Sequence, residues 1–351
     1  MKYSTAAYGG KTITAANQQQ IAADQEVTKI IINGNTGPNL VSKLNLKDEI
    51  SRKYWVNDPV EILNRKKISE HVGIPESDII MFVNPGGSTK YLRHFIALDK
   101  KNKEVILAIR GTYSFSEVLV DASGLTKDFC GGKAHEGIAD VTNNLWELCG
   151  DVINAVLDAY PGYKLIICGH SLGGGAACLL TIKCYAESLV NPDVDVRCMS
   201  YASPSVFTPL NDAKTAVSKT TNFIHNNDCI SFLSGANVRE LFDTIDVVDE
   251  QKGNFFQQIQ VISGIAKPSE ELVKAVRCSE IKKVEDVVGA ERSFVPAETI
   301  VWMRKNKEND NYTAYTYRPE KLPEIYVNED MIFNHFPPYY EEALNKLTDR
   351  D

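Results

Sequence analysis

Apolar and polar positions along this chain alternate in two rhythms, and the rhythms divide it into strands and helices. Tyr91–Leu98 and Glu104–Ile109 are apolar runs joined by the polar stretch Asp99–Lys103, which predicts a strand pair and its turn. From 137 to 160 the apolar positions are Ile138, Val141, Leu145, Leu148, Val152, Val156 and Tyr160. Steps of three and four put them on one face of a helix, and Pro161–Gly162 ends it. A short strand Lys164–Cys168, a helix from about Leu172 to Val190, and strands at Val196–Tyr201 and Asn222–His225 follow. Earlier, Asp48–Val72 reads as helical with Gly73 as its stop, and Asn84–Pro85–Gly86–Gly87 is a loop signal. Near the end, Thr299–Arg304 and Tyr312–Arg318 predict a hairpin across Asn306–Asn311, before a last helix from about Pro338 to Leu347.

Strand and helix thus take turns through the middle of the chain, the pattern of a mainly parallel sheet with helices on both faces. Residues 236–290 break it. They look helical and amphipathic, with Phe255, Phe256, Ile259, Ile262 and Ile265 on one face, and we read them as an insertion within a single domain spanning 1–351. No repeat or low-complexity tract is visible; residues 16–25 are polar and Gln-rich, so part of the N-terminal region is expected to be loosely held.

Composition narrows the function. Of 351 residues, 43% are hydrophobic and 24% charged, enough for a substantial core. The net charge of −8 argues against a nucleic-acid surface, which needs clustered Lys and Arg. Apolar runs such as Ile79–Val83 and Val105–Ile109 fall far short of a membrane span, and the N-terminus lacks the apolar stretch of a secretory signal. Eight cysteines show no metal-ligand spacing, and Cys168, Cys178 and Cys184 lie in apolar contexts. These features lead us to expect a cytoplasmic protein with reduced core thiols.

The chemistry centres on Gly169–His170–Ser171–Leu172–Gly173, a G-x-S-x-G sequence set between a strand and a helix. That context is what a nucleophile elbow needs: Ser171 takes a strained conformation in a sharp turn, and small residues at 169 and 173 let strand and helix approach. The turn is expected to expose the Ser171 hydroxyl at the carboxyl end of the sheet. It also puts the Leu172 N–H at a helix N-terminus, where it can stabilise an oxyanion.

Elbow enzymes place their partners in the chain order Ser, Asp or Glu, His. Asp228 follows the strand Asn222–His225 and fits the acid, although Asn226–Asn227–Asp228 also reads as turn chemistry. His71, His94, His135 and His170 precede Ser171; His225 lies three residues before Asp228 and suits a packing role. Elimination leaves His335, in Phe333–Asn334–His335–Phe336–Pro337, as the base.

Taken together these segments resemble the class 3 lipases, and among them the catalytic domain of sn-1-specific diacylglycerol lipases. The likeness runs through KYSTAAYG at 2–9, FIALDKKNKEVILAIRGT at 95–112, AHEGI at 134–138, GHSLGGG at 169–175 and YASPSV at 201–206. It continues in HNNDCISFLSGANV at 225–238 and MIFNHFPPYYEEAL at 331–344. The resemblance implies an α/β-hydrolase fold, in which the helical insertion read from the pattern falls between the catalytic Asp and His. It implies Ser171, Asp228 and His335 as the triad, and adds Thr112 beside Leu172 as an oxyanion donor. It also implies a glycerolipid ester as substrate, met at a membrane or lipid-droplet surface, with no metal or organic cofactor. Tyr113–Leu125, with Phe115, Val118 and Leu119, is a candidate lid, and 236–290 is a second. A phospholipase A1, a galactolipase, a general carboxylesterase and a non-catalytic lipase-like scaffold are the rival readings.

Overall fold

The fold is described here from a computed structural model covering residues 1–8, 29–32, 59–84, 90–111, 126–234, 237, 270, 293–306, 308–322, 330–331 and 333–348. For 29–32 and 59–64 the backbone alone is described. The strands are β1 Lys29–Ile32, β2 Ile79–Asn84, β3 His94–Asp99, β4 Glu104–Ile109, β5 Thr126–Phe129 and β6 Gly132–His135. They continue as β7 Lys164–His170, β8 Val196–Tyr201, β9 Phe207–Thr208, β10 Thr220–His225, β11 Thr299–Lys305 and β12 Tyr312–Tyr317. The α-helices are α1 Lys2–Ala6, α2 Pro59–Val72, α3 Glu136–Ala159, α4 Leu172–Ala186, α5 Lys214–Ser218 and α6 Pro337–Thr348.

Among the described residues, nine strands form one sheet in the order β1-β2-β3-β4-β7-β8-β10-β11-β12. The pairs β4–β7, β7–β8, β8–β10 and β10–β11 are parallel, and both flanks are antiparallel. Strand β4 shows why helices cover both faces. Its Val105, Leu107 and Ile109 pack with Ile138, Leu145 and Leu179 of α3 and α4. Its Ile106 and Ala108 pack with Ala6 of α1, Ala7 just after it, and Ile68 of α2. Side chains alternate across a strand, so a run apolar at every position requires an apolar layer on each side. The same holds for β7, whose Leu165 and Ile167 face one layer and Ile166 and Cys168 the other. This layered sheet, parallel through its centre and antiparallel at both flanks, with a strand-Ser-helix turn at its middle, is an α/β-hydrolase fold.

Where they fall among the described residues, the expected strand pairs and helices are found, most with ends shifted by a few residues; the helix expected over Asp48–Val72 is described from Pro59 on, and 48–58 lie outside the described residues. Helix α4 stops at Ala186 rather than near 190, because Ser188 turns left-handed (φ +52°) and the Leu189 N–H bonds back to the Cys184 carbonyl. The sequence reading did not assign β1, β2 or the small sheet β5-β6-β9. Of these, β2 was visible only as the apolar run beginning at Ile79. Residues 113–125 and 236–290, except Asn237 and Glu270, lie outside the described residues, so the expected lid and insertion do too. Among the described residues no helix is long and apolar enough to cross a membrane. Cys168, Cys178 and Cys184 are buried and form no disulfide.

Candidate active site

Ser171 sits between β7 and α4 with φ +60° and ψ −130°, a conformation that costs a non-glycine residue on the order of 1–3 kcal/mol. The surroundings enforce it. The Ser171 N–H bonds to the Tyr201 carbonyl (2.9 Å), and the Ser171 carbonyl accepts the Gly174 N–H (2.8 Å) as the helix begins. The flanking glycines permit the crossing. A Cβ on Gly169 would lie 2.1 Å from the Gly173 carbonyl oxygen, and one on Gly173 would lie 2.6 Å from that of Ile109. No side chain fits at either position, so both glycines are needed for the turn itself.

Two loops bring the remaining groups to this serine. Asp228 follows β10 and is fully buried; His335 closes a short turn just before α6. The His335 Nε2 lies 2.9 Å from the Ser171 Oγ, and its Nδ1 lies 2.8 Å from the Asp228 Oδ2. The structure thus brings together the three residues singled out by the sequence, across separations of 164 and 107 positions. A carboxylate only accepts, so the Asp228 contact puts the imidazole proton on Nδ1 and leaves Nε2 free to accept from the serine hydroxyl.

Asp228 is held charged. Burial alone would raise its carboxyl, but the facing His335 and hydrogen bonds from His335, Tyr340 and the Ile230 N–H together bring it below the ordinary carboxylate range. The Tyr340 hydroxyl donates to the same Oδ2 at 2.6 Å, and the Ile230 N–H donates to Oδ1 at 2.9 Å. Burial first, and then the Asp228 charge, push the Tyr340 phenol well up, so it remains a donor. Tyr340 is a site residue that sequence reasoning missed. Its only signal was a tyrosine one helical turn past Pro337, and nothing in the spacing tied it to Asp228. Tyr340→Phe is expected to lower kcat roughly tenfold, the worth of one charge-assisted hydrogen bond. It should also move the acid loss of activity to higher pH, because the carboxylate loses a stabilising donor. A pH–rate profile identical to wild type would remove Tyr340 from this role.

One expectation is corrected. Ser171 was expected to expose its hydroxyl, but the residue is fully buried and has the His335 ring across it. The His335 ring, 2.9 Å from the Ser171 Oγ, is one of the groups that cover it. Leu172 opens α4, so its N–H is one of the first-turn donors that lack a partner within the helix. Thr112 lies outside the described residues. The chain immediately before it passes close to the nucleophile: a Cβ on Gly111 would come within 2.9 Å of the Ser171 Cβ. His225 is buried and away from Ser171, bonded instead to Tyr312 and to the Asn334 carbonyl. Among the described residues, no three of His, Cys, Asp and Glu gather as a metal site would require.

Residues 106–238 match the lipase (class 3) family, which supports the resemblance drawn from the motifs. The chain is 36% identical to mouse (Mus musculus) diacylglycerol lipase-beta over 101 residues, covering 26% of this chain and 15% of that protein. It is 31% identical to the secreted mono- and diacylglycerol lipase A of Penicillium cyclopium over 142 residues, covering 38% of this chain and 44% of that one. It therefore spans less than half the length of either relative. Among solved structures, lipase II from Rhizopus niveus aligns with a TM-score of 0.37 and 26% identity, over 40% of this chain and 54% of that one.

Proposed function

We propose that this chain, with its class 3 lipase region at 106–238, is a serine hydrolase that cleaves an acyl ester of a glycerolipid, diacylglycerol or monoacylglycerol first. The observation that carries the reading is the unbroken line of hydrogen bonds from Ser171 through His335 to Asp228 at a strained elbow. In the proposed cycle His335 takes the Ser171 proton as the hydroxyl attacks the ester carbonyl. Asp228 holds the imidazole tautomer and offsets its developing charge. The Leu172 N–H and Thr112 would hold the oxyanion, each donor being worth ~3 kcal/mol of barrier. His335 then gives the proton to the departing glyceride oxygen, and water releases the fatty acid by the same steps.

The acylglycerol preference is supported by two relatives named for diacylglycerol and for mono- and diacylglycerol hydrolysis. The test is a panel of mono-, di- and triacylglycerol, phospholipid, galactolipid and short p-nitrophenyl esters, with products identified by mass. Release of fatty acid chiefly from phospholipid or galactolipid would replace the acylglycerol reading; turnover of none would favour the scaffold reading.

A lipid ester must reach an enclosed serine from an aggregate. Phe333 and Phe336 flank His335 and are 62% and 48% exposed, more than soluble surfaces usually leave to phenylalanine. We expect activity to rise as diacylglycerol passes from monomers to vesicles, with these rings entering the acyl boundary. Replacing both with Ser should reduce hydrolysis in vesicles roughly tenfold, about 1.4 kcal/mol of lost apolar insertion, and leave a short soluble ester within about twofold. Equal losses on both substrates would mean the rings support the His335 turn instead.

A further inference from the structure

His335 is carried by a short turn in which the Asn334 N–H and side-chain amide both bond to the Asp330 carbonyl (2.9 Å each), and Asn226 donates to the Asn334 side-chain oxygen (3.3 Å). The turn Phe333–His335 is three residues long, and Phe333 and Phe336 on either side of the Asn–His pair are exposed, while Asn334 between them is buried. Two buried histidines hold it from inside. The His170 Nε2–H donates to the His335 main-chain carbonyl at 2.8 Å, and the His225 Nδ1–H donates to the Asn334 carbonyl at 3.0 Å. Each histidine has a tyrosine behind it. The Tyr8 hydroxyl donates to the His170 Nδ1 at 2.7 Å, and the Tyr312 hydroxyl lies 3.1 Å from the His225 Nε2.

This arrangement fixes the tautomers. A carbonyl oxygen only accepts, so each imidazole must present N–H to it and accept from the tyrosine through the other nitrogen. Burial depresses the proton affinity of both histidines, so the neutral form that can do both is the resident one. The anchors are rigid. His170 ends β7 and His225 ends β10, and these two strands flank β8 in the parallel core of the sheet. The His170 ring also packs against the His335 ring, with centroids 4.6 Å apart.

We propose that His170 and His225 are positioning residues, paired clamps on successive carbonyls that keep the His335 imidazole in line between Ser171 and Asp228. Neither touches the substrate. Their effect passes through the main chain of 334–335, where a displacement of about 1 Å is enough to cost ~100-fold in rate. The turn that follows the N-terminal helix α1 thereby contributes to catalysis through Tyr8, 162 residues from the His170 it supports.

The inference rests on Ser171 and His335 being nucleophile and base, so labelling of wild-type Ser171 by a fluorophosphonate is the first measurement. No labelling in active protein would overturn that reading and the clamp with it. Given labelling, the comparison is between His170→Gln and His170→Leu, and between His225→Asn and His225→Leu. The amide nitrogen of Gln reaches the place of Nε2, and that of Asn the place of Nδ1, so the conservative variants keep the donor and the Leu variants lose it. On a short soluble ester, normalised to folded protein, each Leu variant is expected to lose roughly 100-fold in kcat and in labelling rate. KM should stay within about twofold. The Gln and Asn variants should recover at least tenfold of the loss. Wild-type kcat in the folded Leu variants, or Gln and Asn no better than Leu, overturns the proposal. Should a Leu variant fail to fold, Tyr8→Phe and Tyr312→Phe carry the test. Both should lower kcat about fivefold through loss of tautomer control, and an unchanged kcat in both overturns it.

Discussion

Ser171→Ala is expected to abolish ester hydrolysis, with a loss on the order of 10⁶-fold in kcat, as for removal of the nucleophile in other serine hydrolases. The fold should survive. Among the described residues the serine side chain makes one hydrogen bond, to His335, and the turn is built by main-chain bonds to Tyr201 and Gly174 that alanine keeps. A second substitution separates chemistry from folding. The φ of +60° strains any residue with a Cβ, so Ser171→Gly should be more stable than Ser171→Ala by about 1 kcal/mol while equally inactive. Thermal unfolding and turnover of a p-nitrophenyl ester would read both effects. Retained activity in either variant, or labelling by a fluorophosphonate at another serine, would end the assignment of Ser171.

Much of this site could be read from the chain because its parts obey local rules. The elbow is a contiguous pattern set between a strand and a helix that each have clear periodicity. Asp228 follows a recognisable strand, and His335 is the sole histidine after it, so chain order alone reached across 107 residues to the partner it meets at 2.8 Å. What escaped is set by tertiary contact. Tyr340, Tyr8, His170 and His225 carry no pattern of their own; their roles come from which carbonyl or carboxylate happens to lie within 3 Å once the sheet has formed. The burial of Ser171 escaped for the same reason, since an elbow rule describes the serine's own turn and not the groups that pack around it. Among the strands, β5 and β6 are four residues each, mixed in polarity, and β9 has two, too short for a period to show.

Asp228→Asn is the substitution with the next largest expected loss, on the order of 10⁴-fold in kcat, and the hydrogen-bond inventory explains why. Three donors converge on the carboxylate: His335 Nδ1–H and the Tyr340 hydroxyl on Oδ2, and the Ile230 N–H on Oδ1. An amide offers one acceptor oxygen and one NH₂ group. If the oxygen serves Ile230, the NH₂ faces His335, and the imidazole must turn its lone pair from Nδ1 toward it. The ring proton then moves to Nε2, facing Ser171, and His335 can no longer accept the serine proton. If the amide flips, its NH₂ opposes the Ile230 N–H inside a fully buried pocket, which costs stability. The variant therefore loses rate, stability or both, while its volume is unchanged. A pH series adds a signed check. The folded carboxyl lies below its ordinary value, so Asp228 contributes stability above the usual carboxylate range and loses it as pH falls through the depressed value. Asn has no such dependence, so the gap in stability between wild type and variant should be widest near neutral pH and should narrow with acid. A gap constant with pH, together with kcat within tenfold of wild type, would show that Asp228 does not orient His335.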